Sequence, residues 1–202
     1  GVDRYFQIAP CMRDEDARAD RSPGEFYQLD LEMSYVTQDD ILDLMERLFT
    51  GAAEALTTKK IFRKPWPRLP FAEVMLRYGV DKPDLRFGLE IHECSELVRN
   101  CGFSVFTKAL ESGGVVRALN AKGAAKFSRS QIDELTEYVK GYGAQGLAYI
   151  VVEGAGKYRS PITKFLGDEV TERIVREVDA HAGDIIFFGA GSTRRRRTPP
   201  PP

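Results

Sequence analysis

Near the start of the chain, apolar and polar positions alternate with period two in two separate stretches. Residues Arg4 to Cys11 read as one strand and Phe26 to Val36 as a longer one, with the charged stretch MRDEDARADRSPG between them. Successive side chains of a strand point to opposite faces. Phe26, Gln28, Asp30, Glu32 and Ser34 therefore share one face, and Tyr27, Leu29, Leu31, Met33 and Tyr35 share the other. The apolar face predicts packing, and the polar face must meet something polar. In the first strand the same rule groups Tyr5, Gln7, Ala9 and Cys11, and a strand that runs on adds Arg13. The pattern predicts an antiparallel hairpin with a polar floor and a long charged loop.

The period then changes to a helical one. Thr37 and Asp40 have capping-box spacing, and Ile41, Leu44, Met45, Leu48, Ala52 and Leu56 follow on one stripe, predicting a helix that covers the apolar face of the hairpin. A second short helix is signalled by Pro70 in its first turn, by Val74, Met75 and Tyr78 on one side, and by Gly79 at its stop, with DKPDLR after it as loop. From about Gly102 short strands and helices alternate, through FSVFTKAL, GVVRALNA, a helix and LAYIVVEG. That helix has a Ser128/Gln131 capping box, Phe127 stapled to Ile132, and a buried stripe of Leu135, Tyr138 and Val139. A further helix starts near Asp168 and runs through Val170, Ile174 and Val178 to a last strand, DIIFFGA. The predicted class is α+β, with one unit over 1–101, a second over 102–190, and a basic and proline-rich tail over 191–202 whose composition cannot pack a core and is expected to be extended or disordered.

Composition narrows the function classes only slightly. A hydrophobic content of 43% over 202 residues suits a globular chain, and 29 basic against 30 acidic residues removes any overall pull toward nucleic acid. The longest apolar run, Leu147 to Val152, is far below the roughly 20 residues of a membrane-spanning helix, and no signal-peptide pattern opens the chain, so the expectation is a cytoplasmic protein. Cys11, Cys94 and Cys101 lack the spacing of a zinc site, and His92 and His181 are the only histidines, so no metal site is expected and the thiols are read as reduced. Gly1 stands where a methionine would begin a chain, and an apolar strand follows at once. That suggests a piece of something longer.

The segment RYFQIAPCMRDEDARADRSPGEFYQLDLEMSY resembles motif 2 of class II aminoacyl-tRNA synthetases, in the form found in bacterial aspartyl-tRNA synthetases. The order of parts carries the resemblance: a strand, RDED at Arg13 to Asp16, the basic loop ARADR, a proline, then EFYQLDLEMS on the return strand. PFAEVMLRYGVDKPDLR and the stretch from about Gly102 to Gly189 are similar to the same family, the latter to its insertion (GAD) domain. The resemblance implies ATP-dependent activation of L-aspartate and its transfer to tRNA, with Mg2+ in the parent enzyme but its ligands outside this chain, and a homodimeric parent. It implies Arg13 on the α-phosphate and aspartate carboxylate; Asp14 and Glu15 in the ATP site; Phe26 under adenine; Gln28 and Asp30 at the aspartate; and Arg18 and Arg21 on tRNA.

Arginine suits the first role because its planar fork forms charge-assisted, often bidentate bonds to phosphate and carboxylate oxygens. The chain departs from the family at Ser22, where a glutamine that touches ATP is common, and at Gly24, which lengthens the loop. Motifs 1 and 3 and the anticodon-binding barrel are absent from the sequence given, so the expectation is an incomplete catalytic site, inactive alone. A second reading is a non-catalytic tRNA-binding or interaction module, because the insertion domain also occurs in a tRNA-dependent amidotransferase. The RDED and EFYQLD segments argue against it.

Overall fold

A computed structural model describes residues 1–14 and 24–192. The chain divides into two units, 1–68 and from Leu69 onward, and both are α+β with antiparallel sheets.

In the first unit, β1 (Arg4–Met12) and β2 (Glu25–Met33) pair in a register running from Arg4 opposite Met33 to Met12 opposite Glu25. Arg13 N–H donates to the Gly24 carbonyl at 2.8 Å and Ser34 N–H to the Asp3 carbonyl at 2.8 Å, extending the ladder at both ends. The second strand stops short of Val36, because Tyr35 takes a left-handed φ of 58° that breaks the alternation and leaves its side chain exposed.

Helix α1 (Gln38–Leu56) begins at a reciprocal cap, with Asp40 N–H donating to Thr37 Oγ1 at 3.4 Å and Thr37 N–H donating to Asp40 Oδ2 at 2.8 Å. The Thr37 backbone and hydroxyl hydrogen bonds hold the Asp40 carboxyl below its ordinary value.

The expected cover of the hairpin by this helix is not realised. α1 has no buried residue, and Phe6 and Ile8 are each 66% exposed. An open cavity of about 1350 Å³ is lined by Phe6, Leu31 and Met33 of the hairpin and by Leu44, Arg47 and Thr50 of the helix. The helix instead receives the chain that follows it. Trp66 stacks on Phe49 at 6.1 Å, and its backbone N–H donates to Glu46 at 3.0 Å. Lys64 pairs with Glu54, and Arg68 reaches Asp39 at 2.9 Å as well as Asp43. Such exposed ion pairs contribute about 0–1 kcal/mol each, so they fix the path of the segment more than they stabilise it.

The second unit contains α2 (Phe71–Tyr78), β3 (Ile91–Glu93), α3 (Ser95–Val98), α4 (Ser104–Glu111), β4 (Val115–Ala121) and α5 (Arg129–Gly141). They are followed by β5 (Ala148–Gly154), β6 (Lys157–Arg159), α6 (Thr163–Leu166), α7 (Asp168–Glu177) and β7 (Ile185–Gly191). The sheet order is β3-β4-β7-β5-β6, with every pairing antiparallel.

Alternation divides two cores between the faces of this sheet. Ile150, Val152, Ile186 and Phe188 face a large core with Phe106, Leu166 and Ile174, while Val151 and Ile185 face a smaller one with Ala124 and Ile132. The capping box at Ser128 and Gln131 starts α5, and Phe127 packs in the smaller core as its spacing predicts. Tyr138 does not join the buried stripe. It is 62% exposed and lies 5.1 Å from the ring of Tyr142, because α5 is anchored through Ile132 near its start.

The unit begins well before Gly102. Cys94 and Val98 are fully buried in the large core, β3 pairs with β4, and Arg77 holds Glu90 through bonds of 2.7 and 3.0 Å, tying α2 to the residue before β3. Two details fix the sheet locally. A Cβ on Gly114 would meet the Gly191 carbonyl oxygen at 2.6 Å and that of Ala109 at 2.8 Å, so the close approach of α4, β4 and β7 excludes any side chain there.

The second detail is a buried polar knot. Asp184, at the start of β7, accepts from Gly123 N–H at 2.8 Å, His181 N–H at 2.9 Å and the Asn120 amide at 3.1 Å. Burial pushes its carboxyl up, but those three donors together hold it below its ordinary value.

Candidate functional site

The site is built on the polar face of the hairpin. Opposite residues of an antiparallel pair share a face, and the register sets Gln7 against Asp30, Ala9 against Gln28 and Cys11 against Phe26. Arg13, one alternation beyond Cys11, continues the ladder through its N–H, and its guanidinium carbon lies 5.2 Å from the centre of the Phe26 ring. That is stacking distance for a cation on an aromatic face. At the other end of the same face, Gln7 Nε2 donates to Asp30 Oδ2 at 3.2 Å.

Phe26 and Asp30 are both half-buried, and four residues of strand separate them by about 13 Å. Gln28 lies between them and is exposed. A flat ring, a guanidinium and a carboxylate are thus spread along one strand face: one end suits a planar base and an anion, the other a cation.

Of the residues expected at the site, Arg13, Phe26, Gln28 and Asp30 are brought onto one face, while Asp14, two residues beyond β1, is exposed. Glu15, Arg18, Arg21 and the divergent Ser22 lie outside the described residues. The pairing of Gln7 with Asp30 was not anticipated. Alternation had put Gln7 on the right face, but its partner depends on register, which the length of the intervening loop sets.

The large cavity of this unit opens at Arg4 and Met33, at the opposite end of the hairpin from Arg13 and Phe26. Among the described residues no group of three or more His, Cys, Asp or Glu is placed to hold a metal, and no helix is long and apolar enough to cross a membrane.

Residues 1–191 match the family model described as tRNA synthetases class II (D, K and N). The chain belongs to that family. Its class II relatives include proteins named "Aspartate--tRNA(Asp/Asn) ligase" from Bacillus thuringiensis (strain Al Hakam), Bacillus cereus (strain AH820) and Bacillus anthracis. Each is 51% identical over 191 residues, which is 94% of this chain and 32% of the relative. The chain therefore spans about a third of the length of these curated relatives. The matched stretch includes the whole class II hairpin from Arg4 to Met33 and almost all of the second unit.

Proposed function

We propose that this chain supplies the nucleotide- and aspartate-binding hairpin of an aspartate–tRNA ligase, an activity completed by segments beyond the third of the relatives that it covers. The observation that carries the reading is the gathering of Arg13, Phe26, Gln28 and Asp30 on one strand face within a class II chain. Adenine stacks on Phe26. Arg13, now resting on that ring, turns its fork to the α-phosphate, where charge grows as the aspartate carboxylate oxygen bonds to phosphorus and pyrophosphate leaves. Asp30, with Gln28 beside it, takes the α-ammonium group of aspartate. In this reading Asp14 and Glu15 border the ATP site, Arg18 and Arg21 meet tRNA phosphates, and the stretch 102–190 is the insertion domain within the unit that begins at Leu69.

The parent enzyme is a cytoplasmic homodimer that uses Mg2+, with metal ligands outside this chain. The relatives' name covers both aspartate and asparagine tRNA, and we carry over only aspartate activation. The test is a chimera in which residues 1–191 replace the matched third of the Bacillus cereus ligase, assayed for aspartate-dependent exchange of pyrophosphate into ATP. Exchange is expected in the chimera, and Arg13→Ala is expected to lower it by about 10²- to 10³-fold, the usual effect of losing one preorganised donor. Full activity in the Arg13→Ala chimera refutes the assignment.

A further inference from the structure

Asp30 sits on an open strand face, where a lone carboxylate has free rotation about both side-chain bonds. Gln7, its direct cross-strand neighbour, donates to Oδ2 at 3.2 Å, while Oδ1 takes no hydrogen bond among the described residues. We infer that Gln7 is a positioning residue for aspartate: it fixes one oxygen of Asp30 so that the other points to the substrate α-ammonium group. The inference rests on the role proposed above for Asp30.

Three features support it. The pairing is set by the ladder, not by a flexible loop, since Gln7 and Asp30 are opposite residues five rungs from Met12 and Glu25 at the loop end of the strands. The glutamine is neutral, so it steers the carboxylate without neutralising it as a lysine or arginine would, and the charge stays available to a cation. The bond is exposed in the free chain, where water competes with it and its net value is small. It strengthens once a bound substrate excludes water, so its effect falls on aspartate binding and not on folding.

The experiment uses the same chimera, with Gln7→Ala, Gln7→Glu and Gln7→Lys. Gln7→Ala removes the donor, and Gln7→Glu keeps the shape but sets a negative charge against Asp30. Both are expected to raise the KM for aspartate roughly tenfold, the usual effect of one hydrogen bond to a charged group. The KM for ATP and the melting temperature should stay unchanged. Gln7→Lys restores a donor but neutralises the carboxylate and repels the substrate ammonium group, so it should leave the KM for aspartate raised.

Asp30→Ala in the same background separates the two ideas. If it raises the KM for aspartate while both Gln7→Ala and Gln7→Glu leave it within about twofold, a change too small for one hydrogen bond to a charged group, the positioning role is overturned and the proposed site stands. If Asp30→Ala itself has no effect, both fall. Parallel rises in the KM for ATP and aspartate, or a lowered melting temperature, would make Gln7 merely structural and also overturn the inference.

Discussion

Replacing Asp184 by asparagine should show how much of the second unit depends on one carboxylate. Oδ1 accepts from Gly123 N–H, and Oδ2 accepts from both His181 N–H and the Asn120 amide. A carboxamide offers a single acceptor oxygen. Turned either way, it points its own N–H₂ at a donor that the carboxylate had satisfied. One or two donors are then left unpaired in a residue only 6% exposed, at about 1–3 kcal/mol each. The expected loss is about 2 kcal/mol, and Asp184→Ala, which leaves the Gly123 and His181 N–H groups unpaired while the Asn120 amide keeps the Val178 and Asp179 carbonyls, should lose about 3–5 kcal/mol.

In urea at pH 7, followed by ellipticity at 222 nm, the asparagine variant should unfold about 1 M earlier, given a slope of about 1–3 kcal/mol per M. The pH dependence has a definite sign. The folded carboxyl lies below its ordinary value, so its contribution is complete above the unfolded aspartate value of about 3.9 and is lost as pH falls through the lower folded value. Asparagine does not titrate, so the gap between the two proteins should narrow in acid. A midpoint unchanged to within about 0.2 M at pH 7, or a gap that widens in acid, would refute the reasoning.

Gly114→Ala should destabilise the second unit by several kcal/mol or prevent its folding, seen as a lowered melting temperature, because the new methyl group would meet carbonyl oxygens at 2.6 and 2.8 Å that belong to backbone. Burial pushes the Cys94 thiol up to about 12, so at pH 8 a disulfide reagent followed by peptide mass spectrometry should label the half-buried Cys11 and Cys101 first, with Cys94 reacting only in denaturant. Thr37→Ala removes the hydroxyl half of the cap on α1, leaving the Thr37 N–H bond to Asp40, and should cost about 1 kcal/mol of helix stability. Because α1 has no fully buried residue, this should appear as reduced ellipticity at 222 nm before any unfolding, with the main transition unmoved.

The parts of the fold that could be read from sequence are those fixed by local chemistry. Thr37 with Asp40 and Ser128 with Gln131 announce helix starts within four residues, and the strand alternation around Phe26 and Asp30 separates a polar face from an apolar one. Long-range partners were not legible. Tyr138 has the spacing of a core residue, yet which turns of α5 meet the sheet is decided by Ile132 and its neighbours across the fold. Likewise Phe6 and Ile8 look like core, and whether anything covers them depends on chain that alternation does not specify. The unit boundary at Leu69 was hidden because β3 is only three residues long, too short for a periodic signal, although Cys94 beside it is fully buried. The polar face was legible for the opposite reason: Arg13, Phe26, Gln28 and Asp30 lie on or just beyond two adjacent strands, so one period and one register group them, while Glu15, Arg18 and Arg21 lie outside the described residues.

The unequal cores on the two faces of β7 determine the order in which this unit can come apart. The smaller core has four buried residues, and three of them, Ala124, Val151 and Ile185, lie on the sheet or the turn beside it, so α5 contributes only Ile132. A single buried isoleucine supplies about 1.5–3 kcal/mol, little against the conformational entropy of ordering a 13-residue helix. α5 can therefore lift from the sheet in sub-global openings while the larger core beneath the other face stays closed. In hydrogen exchange its amides should lose protection well ahead of those of Ile150 and Ile186.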